Sequence, residues 1–299
     1  MGHPAAISRS GKESNINTSL KSRIERFVLV LPALGLFTFF VVVPFVQGVV
    51  YSFTNWDGVS RTYDFVGFRN YLLLFSDPEL LLPIKNTLIF TAITVVGVNA
   101  LGLGIALLLN FQFRASSFFR SLFFFPIVMS LVMVSYIWSY LFSGFFAPVL
   151  GITGVLSNPK TVMFGIAGIA LWRDAGFAMV TYHAALVAVP GDLIAAVTID
   201  GASPFQKFRH VVFPLIAPAV TINVTLWLGW GLRVFDYVAA ATRGGPGNAS
   251  MTVAFQVYKM TFVYNKVGYG QTAAIIMMIV ILVLAITTTS LLKRREVDL

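Results

Sequence analysis

The chain has 299 residues, 57% of them hydrophobic and 11% charged, with a net charge of +9 and no cysteine. Soluble domains carry roughly 25% charged residues, so this composition excludes an ordinary water-soluble domain. The missing cysteines exclude disulfides, thiolate metal sites and cysteine nucleophiles, and the cations lie beside apolar runs, where membrane lipid and topology explain them better than nucleic acid.

The first apolar run extends from Phe27 to about Phe53, behind a polar segment (residues 1–26) bearing Arg9, Lys12, Lys21, Arg23 and Arg26. It is longer than the core of a signal peptide and ends in aromatic and polar residues, which predicts a retained membrane helix. With the loop after it, this helix occupies 27–84. Further spans are predicted from about Asn86 to Asn110, Ser121 to Phe142, Phe164 to Val189, Phe213 to Ala240 and Gln271 to Leu292. Within a bilayer such runs must satisfy their own backbone hydrogen bonds, which helices do. The predicted fold is therefore all-α, a polytopic membrane protein of six transmembrane helices, with a core over 85–292 and a tail over 293–299.

An even number of spans puts both termini on one side. That side would hold the N-terminal cations together with Arg114, Arg120, Lys207, Arg209 and the Lys293-Arg294-Arg295 run. Fewer cations fall opposite, at Arg61, Arg69, Lys85, Lys160, Arg243, Lys259 and Lys266. The bias predicts cytoplasmic termini in a cell membrane. The opposite segments, "NWDGVSRTYDFVGFRNYLLLFSDPELL" and "TRGGPGNASMTVAFQVYKMTFVYNKVGYGQ", mix aromatics, charges and glycines. Re-entrant helices, an external partner surface and a plain aromatic belt all fit that pattern.

Arg173 and Asp174 lie deep in the fourth span, and Arg233 and Asp236 in the fifth. Ionisable groups at such depth cost about 2.5 to 3.5 kcal/mol each, so they should face a pore or one another. Pairing Arg173 with Asp236, or Asp174 with Arg233, would neutralise them. With Trp172, Tyr182, Asn223, Trp227 and Trp230 they could line a solute route, because arginines and carboxylates bond sugar hydroxyls and aromatic faces stack on pyranose rings. A purely structural ion pair and a position near the outer interface are the competing readings.

Between the fourth and fifth spans stands "VTIDGASPFQKFRHVVFP". A short helix is predicted from Asp192 through Val197, then a tight break at Asp200-Gly201, where glycine can take a positive φ. Ser203, Pro204 and Gln206 form a capping-box pattern, so a second short helix should begin there. Phe205, Phe208 and Val212 make one apolar stripe on it, among Gln206, Lys207, Arg209 and His210. Such a stripe suits docking to a partner, lying on lipid, or packing on the protein's own helices.

No G-x-x-x-x-G-K-[ST] phosphate loop, G-x-S-x-G, H-E-x-x-H or carboxylate constellation occurs, and His3, His183 and His210 lack metal-ligand spacing. The sequence therefore predicts a chain that is not itself an enzyme and binds no cofactor or metal.

"VPGDLIAAVTIDGASPFQKFRHVVFPLIAP" resembles the cytoplasmic EAA loop of permease subunits of bacterial ABC importers, and is most similar to the binding-protein-dependent sugar permeases of the maltose type. Pro190, Leu193, Ala196, Asp200, Gly201, Ala202, Phe208, Pro214, Leu215 and Pro218 match the pattern. Asp192 replaces a glutamate, Ala195 stands where the signature glutamate is expected, and Val197 replaces an alanine. The family's salt bridge from that glutamate to the ATPase therefore cannot form here in the usual way. "GFRNY", "NTLIFT", "RSLFFFPIVMS", "LWRDAGFAMVTYHAAL" and "RVFDYVAAATRGGPGNASMT" also look like segments of this group, so the likeness covers most of the chain.

The resemblance implies a permease subunit of an ATP-driven carbohydrate importer, with the 190–218 loop as its coupling element. Its implied partners are a second, paralogous permease, two ATP-binding cassette subunits that hold ATP and magnesium, and an extracellular or periplasmic sugar-binding protein. It assigns ATPase coupling to Ala196, Asp200, Gly201, Ala202, Ser203, Phe205, Lys207, Phe208 and Arg209. A self-contained secondary carrier or channel is the rival, but it would need no docking lever, and inverted repeats do not stand out.

Overall fold

The structure is a computed structural model that describes residues 27–111, 114–151 and 153–294. The polar segment 1–26, with its five cations, and Arg295 lie outside the described residues. Helices α1 (Phe27–Ser52), α2 (Arg69–Phe75), α3 (Pro78–Asn110), α4 (Ser116–Val128), α5 (Leu131–Leu150) and α6 (Val162–Val187) make the first part. After them come α7 (Gly191–Ile199), α8 (Pro204–Leu215), α9 (Ala217–Leu232), α10 (Asp236–Ala241), α11 (Val253–Tyr258) and α12 (Val267–Lys293). Among the described residues the β-structure is one isolated bridge, Thr54 to Phe65. The all-α expectation is met, and α1, α3, α5, α6 and α12 are each long and apolar enough to cross a membrane.

Helix α6 is the centre. Ile166, Ala167, Ile169, Ala170, Ala178 and Met179 along it are fully buried, between α3, α4 and α9. Small residues allow that packing, since lipid supplies no hydrophobic force between helices and close backbone approach must supply dispersion instead. A Cβ on Gly102 of α3 would lie 2.5 Å from the Cβ of Ala178, and one on Gly231 of α9 would lie 2.9 Å from the Cα of Thr91. Helices α1 and α12 stand outside this core and pack on each other, joined where the Thr272 hydroxyl donates to the Ser52 carbonyl at 3.0 Å. Most of α1 is exposed along its apolar length, as a lipid-facing or partner-facing helix must be.

Two predicted spans are broken. The third, Ser121 to Phe142, is divided at Met129 and Ser130, whose backbones are extended, into α4 and α5. Pro126 removes an amide from the last turn of α4 and hastens its end. The fifth, Phe213 to Ala240, is divided twice. Helices α8 and α9 meet at an angle of 67°, and α9 ends at Leu232, before Arg233 to Phe235 lead into the short α10. The long apolar runs continue past these points, apart from Arg233 and Asp236, but helical continuity does not.

The segment after α10 folds back against α3. The Asn86 amide donates to the carbonyls of Ala249 and Met251, both at 2.9 Å. The Val253 amide donates to the Thr87 hydroxyl at 3.0 Å, and the Thr252 hydroxyl to the Val234 carbonyl at 2.8 Å. Chain alternation puts this segment at the same end of the bundle as the loop after α1. In that loop the Asp57 carboxylate accepts from the Ser60 hydroxyl and from the amides of Ser60 and Val59. Those bonds, the hydroxyl's first, lower its pKa to about 2. What the ionised group adds to the turn is thus fully present above about pH 4, the unfolded carboxylate value, and is lost only as pH falls through about 2.

Candidate functional site

A cavity of about 450 Å³ opens where the two broken spans meet α6. Phe90 and Thr94 of α3, Leu131 at the start of α5, Arg173 and Asp174 of α6, and residues from Trp227 to Tyr237 line it. Arg173 stands eleven positions after Val162 in a helix of 26 residues, about 16 Å along its axis at 1.5 Å per residue. The cavity therefore sits near the middle of the span.

The polar geometry differs from the predicted pairings. Among the described residues Arg173 makes no ion pair with Asp236; its Nη1 donates to Asp174 Oδ1 at 2.8 Å and, at 3.5 Å, to the Tyr237 hydroxyl of the fifth span. Nη2 donates to the Ile127 carbonyl at 3.2 Å, and the Tyr237 hydroxyl donates to Asp174 Oδ2 at 2.7 Å. The reason is the chain breaks. Ile127 lies in the last turn of α4, where carbonyls lack helical partners, and the α9 break leaves Arg233 and Asp236 on the open cavity wall while carrying Tyr237 to Asp174. One ion pair thus ties together both interrupted spans.

Of the predicted route residues, Arg173, Asp174, Trp227, Trp230, Arg233 and Asp236 all line this cavity. Tyr182 and Asn223 do not. Tyr182 is 1% exposed with its hydroxyl bonded to Asn99, and Asn223 is wholly buried with its amide donated to the Ala219 carbonyl. Both belong to the packed core beneath the cavity. Trp172 is exposed and stacks edge-on with Trp138. Tyr237 escaped the sequence reading; its only signal was an aromatic hydroxyl next to an intramembrane carboxylate.

The second region is the connection from α6 to α9. Helix α7 ends in a left-handed turn with Gly201 at φ +78°. The Ala202 amide donates to the Val197 carbonyl and the Gly201 amide to the Thr198 carbonyl, both at 3.1 Å. These are the two bonds of a Schellman stop, which satisfies last-turn carbonyls and needs a residue at ease with positive φ. Ser203 then caps α8: its Oγ accepts from the Gln206 amide at 3.3 Å, while Gln206 Oε1 accepts from the Ser203 amide at 2.8 Å. The apolar stripe is only partly free. Phe205 is 71% exposed, whereas Phe208 and Val212 are half-buried, the former stacked on Phe213. Asp200, Ala202, Gln206, Lys207 and His210 border a shallow polar groove at this turn, with Arg209 exposed nearby. Ala196 is exposed.

The profile of the family described as "binding-protein-dependent transport system inner membrane component" matches residues 98–297. The probable starch degradation products transport system permease protein AmyD of Thermoanaerobacterium thermosulfurigenes is 33% identical over 93% of this chain and 97% of its own. The multiple sugar-binding transport system permease protein MsmF of Streptococcus mutans is 33% identical over 83% of this chain and 87% of its own. Among solved structures, a chain of a bacterial ABC transporter involved in the import of the acidic polysaccharide alginate superposes with a TM-score of 0.81 at 19% identity. That superposition covers 94% of this chain and 99% of the other.

Proposed function

This chain belongs to the binding-protein-dependent transport system inner membrane components, and from that membership we propose that it is a permease subunit of an ATP-driven importer of carbohydrate. It is a multi-pass membrane transport subunit, not an enzyme. The observation that carries the reading is that the matched region, 98–297, holds the whole capped α7–α8 turn and all of the cavity's lining except Phe90 and Thr94. Relatives named for starch products and multiple sugars support a saccharide cargo.

In this reading both termini and the 190–218 connection face the cytoplasm. The α7–α8 turn seats in an ATP-binding cassette subunit, which supplies ATP and magnesium; a second permease closes the far wall of the cavity; an external binding protein delivers the sugar. Rigidity suits the turn to transmitting force, because the Schellman stop and the capping box fix both of its flanks. Gly201, Ser203 and Phe205 would shape the contact, with Ala196, Asp200, Ala202, Lys207, Phe208 and Arg209 around them. Ala195 offers no carboxylate, so shape and the basic groups carry the docking. Arg173, Asp174, Trp227, Trp230, Arg233 and Asp236 would line the solute path.

Two measurements test this. In proteoliposomes holding the complete complex, saccharide uptake is expected to need ATP and the ATPase subunit. Uptake driven by an ion gradient alone would instead favour a secondary carrier. A Cβ at Gly201 would meet nothing within 4 Å, at a φ of +78° that L side chains rarely adopt, so Gly201→Val acts chiefly through backbone strain of about 1–2 kcal/mol. The variant is expected to assemble, keep ATP hydrolysis and lose at least about tenfold in uptake, where a tenfold loss corresponds to roughly 1.4 kcal/mol. Uptake at the wild-type ratio to hydrolysis would refute the lever.

A further inference from the structure

The charge pattern of the intramembrane cavity bears on which solutes it admits, an inference that rests on the transport reading above. Four ionisable side chains line the cavity: Arg173, Asp174, Arg233 and Asp236. The first two cancel, and both Asp174 oxygens are occupied, one by Arg173 and one by Tyr237. Arg233 and Asp236 are exposed, one of each sign. Among the described residues neither has a hydrogen-bond or ion-pair partner. The wall therefore presents free groups of both signs and no net charge.

The same wall holds donors without acceptors. Trp227 is 2% exposed, and its indole N–H, like the Nε–H of Arg173, is buried and unbonded. An unsatisfied buried donor is costly, and native structures seldom leave one without protein or water across from it. Trp230, 39% exposed, stands against Trp227 with ring centroids 4.7 Å apart. It adds aromatic surface.

We propose that this cavity selects neutral, hydroxyl-rich solutes over acidic ones, with Arg233 and Asp236 as the discriminating residues. A hydroxyl both donates and accepts, so one polyol can accept from Arg233 while donating to Asp236. A carboxylate can pair with Arg233, but it stands close to Asp236 and gives up its hydration where the wall offers no net countercharge. An apolar solute would leave Arg233 and Asp236 bare.

The test uses the complete importer complex and length-matched probes, maltotriose and raffinose against trigalacturonate, with equilibrium binding measured for each. The neutral probes are expected to bind at least about tenfold more tightly. Asp236→Asn should raise trigalacturonate affinity and close most of that gap, and Arg233→Gln should widen it. The proposal is overturned if trigalacturonate binds as well as the neutral probes in the unaltered complex, or if neither charge variant moves the ratio. ATP-driven uptake of an acidic glycan would overturn it while leaving the carbohydrate reading intact. Absence of ATP-driven uptake for every saccharide of either charge would instead sink that underlying reading.

Discussion

Replacing Gly176 with valine is expected to abolish most of the folded protein. A Cβ at that position would lie 2.1 Å from the carbonyl oxygen of Phe123, 2.9 Å from its carbon and 3.0 Å from the Cα of Phe124. All three are backbone atoms, so no side chain can swing aside and α4 as a whole must retreat from α6. Overpacking against side chains costs about 1–3 kcal/mol, and a backbone obstacle places this variant at or beyond the upper end. The retreat would also lengthen the Arg173 bond to the Ile127 carbonyl, one turn along the same contact. Gly168 provides the control, because it lies on the same helix and a Cβ there meets nothing within 4 Å. Gly168→Ala should leave the melting temperature unchanged or raise it slightly, given alanine's advantage of about 1 kcal/mol in helices. Equal yields of monodisperse protein from Gly176→Val and Gly168→Ala would refute the close-packing account.

Much of the turn between α7 and α9 was legible in the sequence, because its features are local. Gly201 takes the positive φ that a glycine after Asp200 suggested, and Ser203 and Gln206 exchange the bonds their spacing demanded. The apolar runs likewise located the spans, since the cost of an unsatisfied backbone in lipid leaves few alternatives to helix. Arg173, Asp174, Trp227, Trp230, Arg233 and Asp236 line one cavity, as intramembrane polarity that must avoid lipid converges. What failed was pairing. Successive side chains on a helix point about 100° apart, so neighbours such as Arg173 and Asp174 are not expected to meet. They meet here because a long arginine side chain can fold back when its other contact, the Ile127 carbonyl, lies on that side.

The breaks at Met129–Ser130 and Arg233–Phe235 escaped for a different reason. Hydropathy measures what a residue is, whereas a break depends on φ and ψ; the residues around the first point are mostly apolar, and Arg233 and Asp236 at the second read as buried charges rather than as a helix end. Pro126 was the one available clue to the first. Nor could the sequence say which glycines are squeezed: Gly176 and Gly168 read alike until their neighbours are known. The sequence places Tyr182 and Asn223 on the path because polar groups in a span suggest a pore. Tyr182 instead bonds Asn99 of α3 and Asn223 the Ala219 carbonyl of its own helix, the other way a polar group can be tolerated in a bilayer.

Asp174→Ala is expected to be the most damaging change at the cavity itself. It leaves the Arg173 guanidinium without its carboxylate and the Tyr237 hydroxyl without its acceptor, at mid-span. Breaking a buried pair by removing one partner costs about 3–5 kcal/mol, whereas replacing both partners is often far milder. Asp174→Asn should fall between, because an amide oxygen can still accept from Tyr237 but cannot balance the charge. The double variant Arg173→Gln with Asp174→Asn should melt closer to the unaltered protein than Asp174→Ala does. A coupling energy of about 0.5–3 kcal/mol should emerge from the cycle. If the two single losses simply add, the ion pair does not hold the interrupted spans together. The double variant also separates structure from selection, because it removes one charge of each sign and leaves the cavity's net charge at zero. It should therefore retain the preference for neutral over acidic saccharide even where uptake is slower. Loss of that preference with stability intact would move discrimination from Arg233 and Asp236 to the Arg173–Asp174 pair.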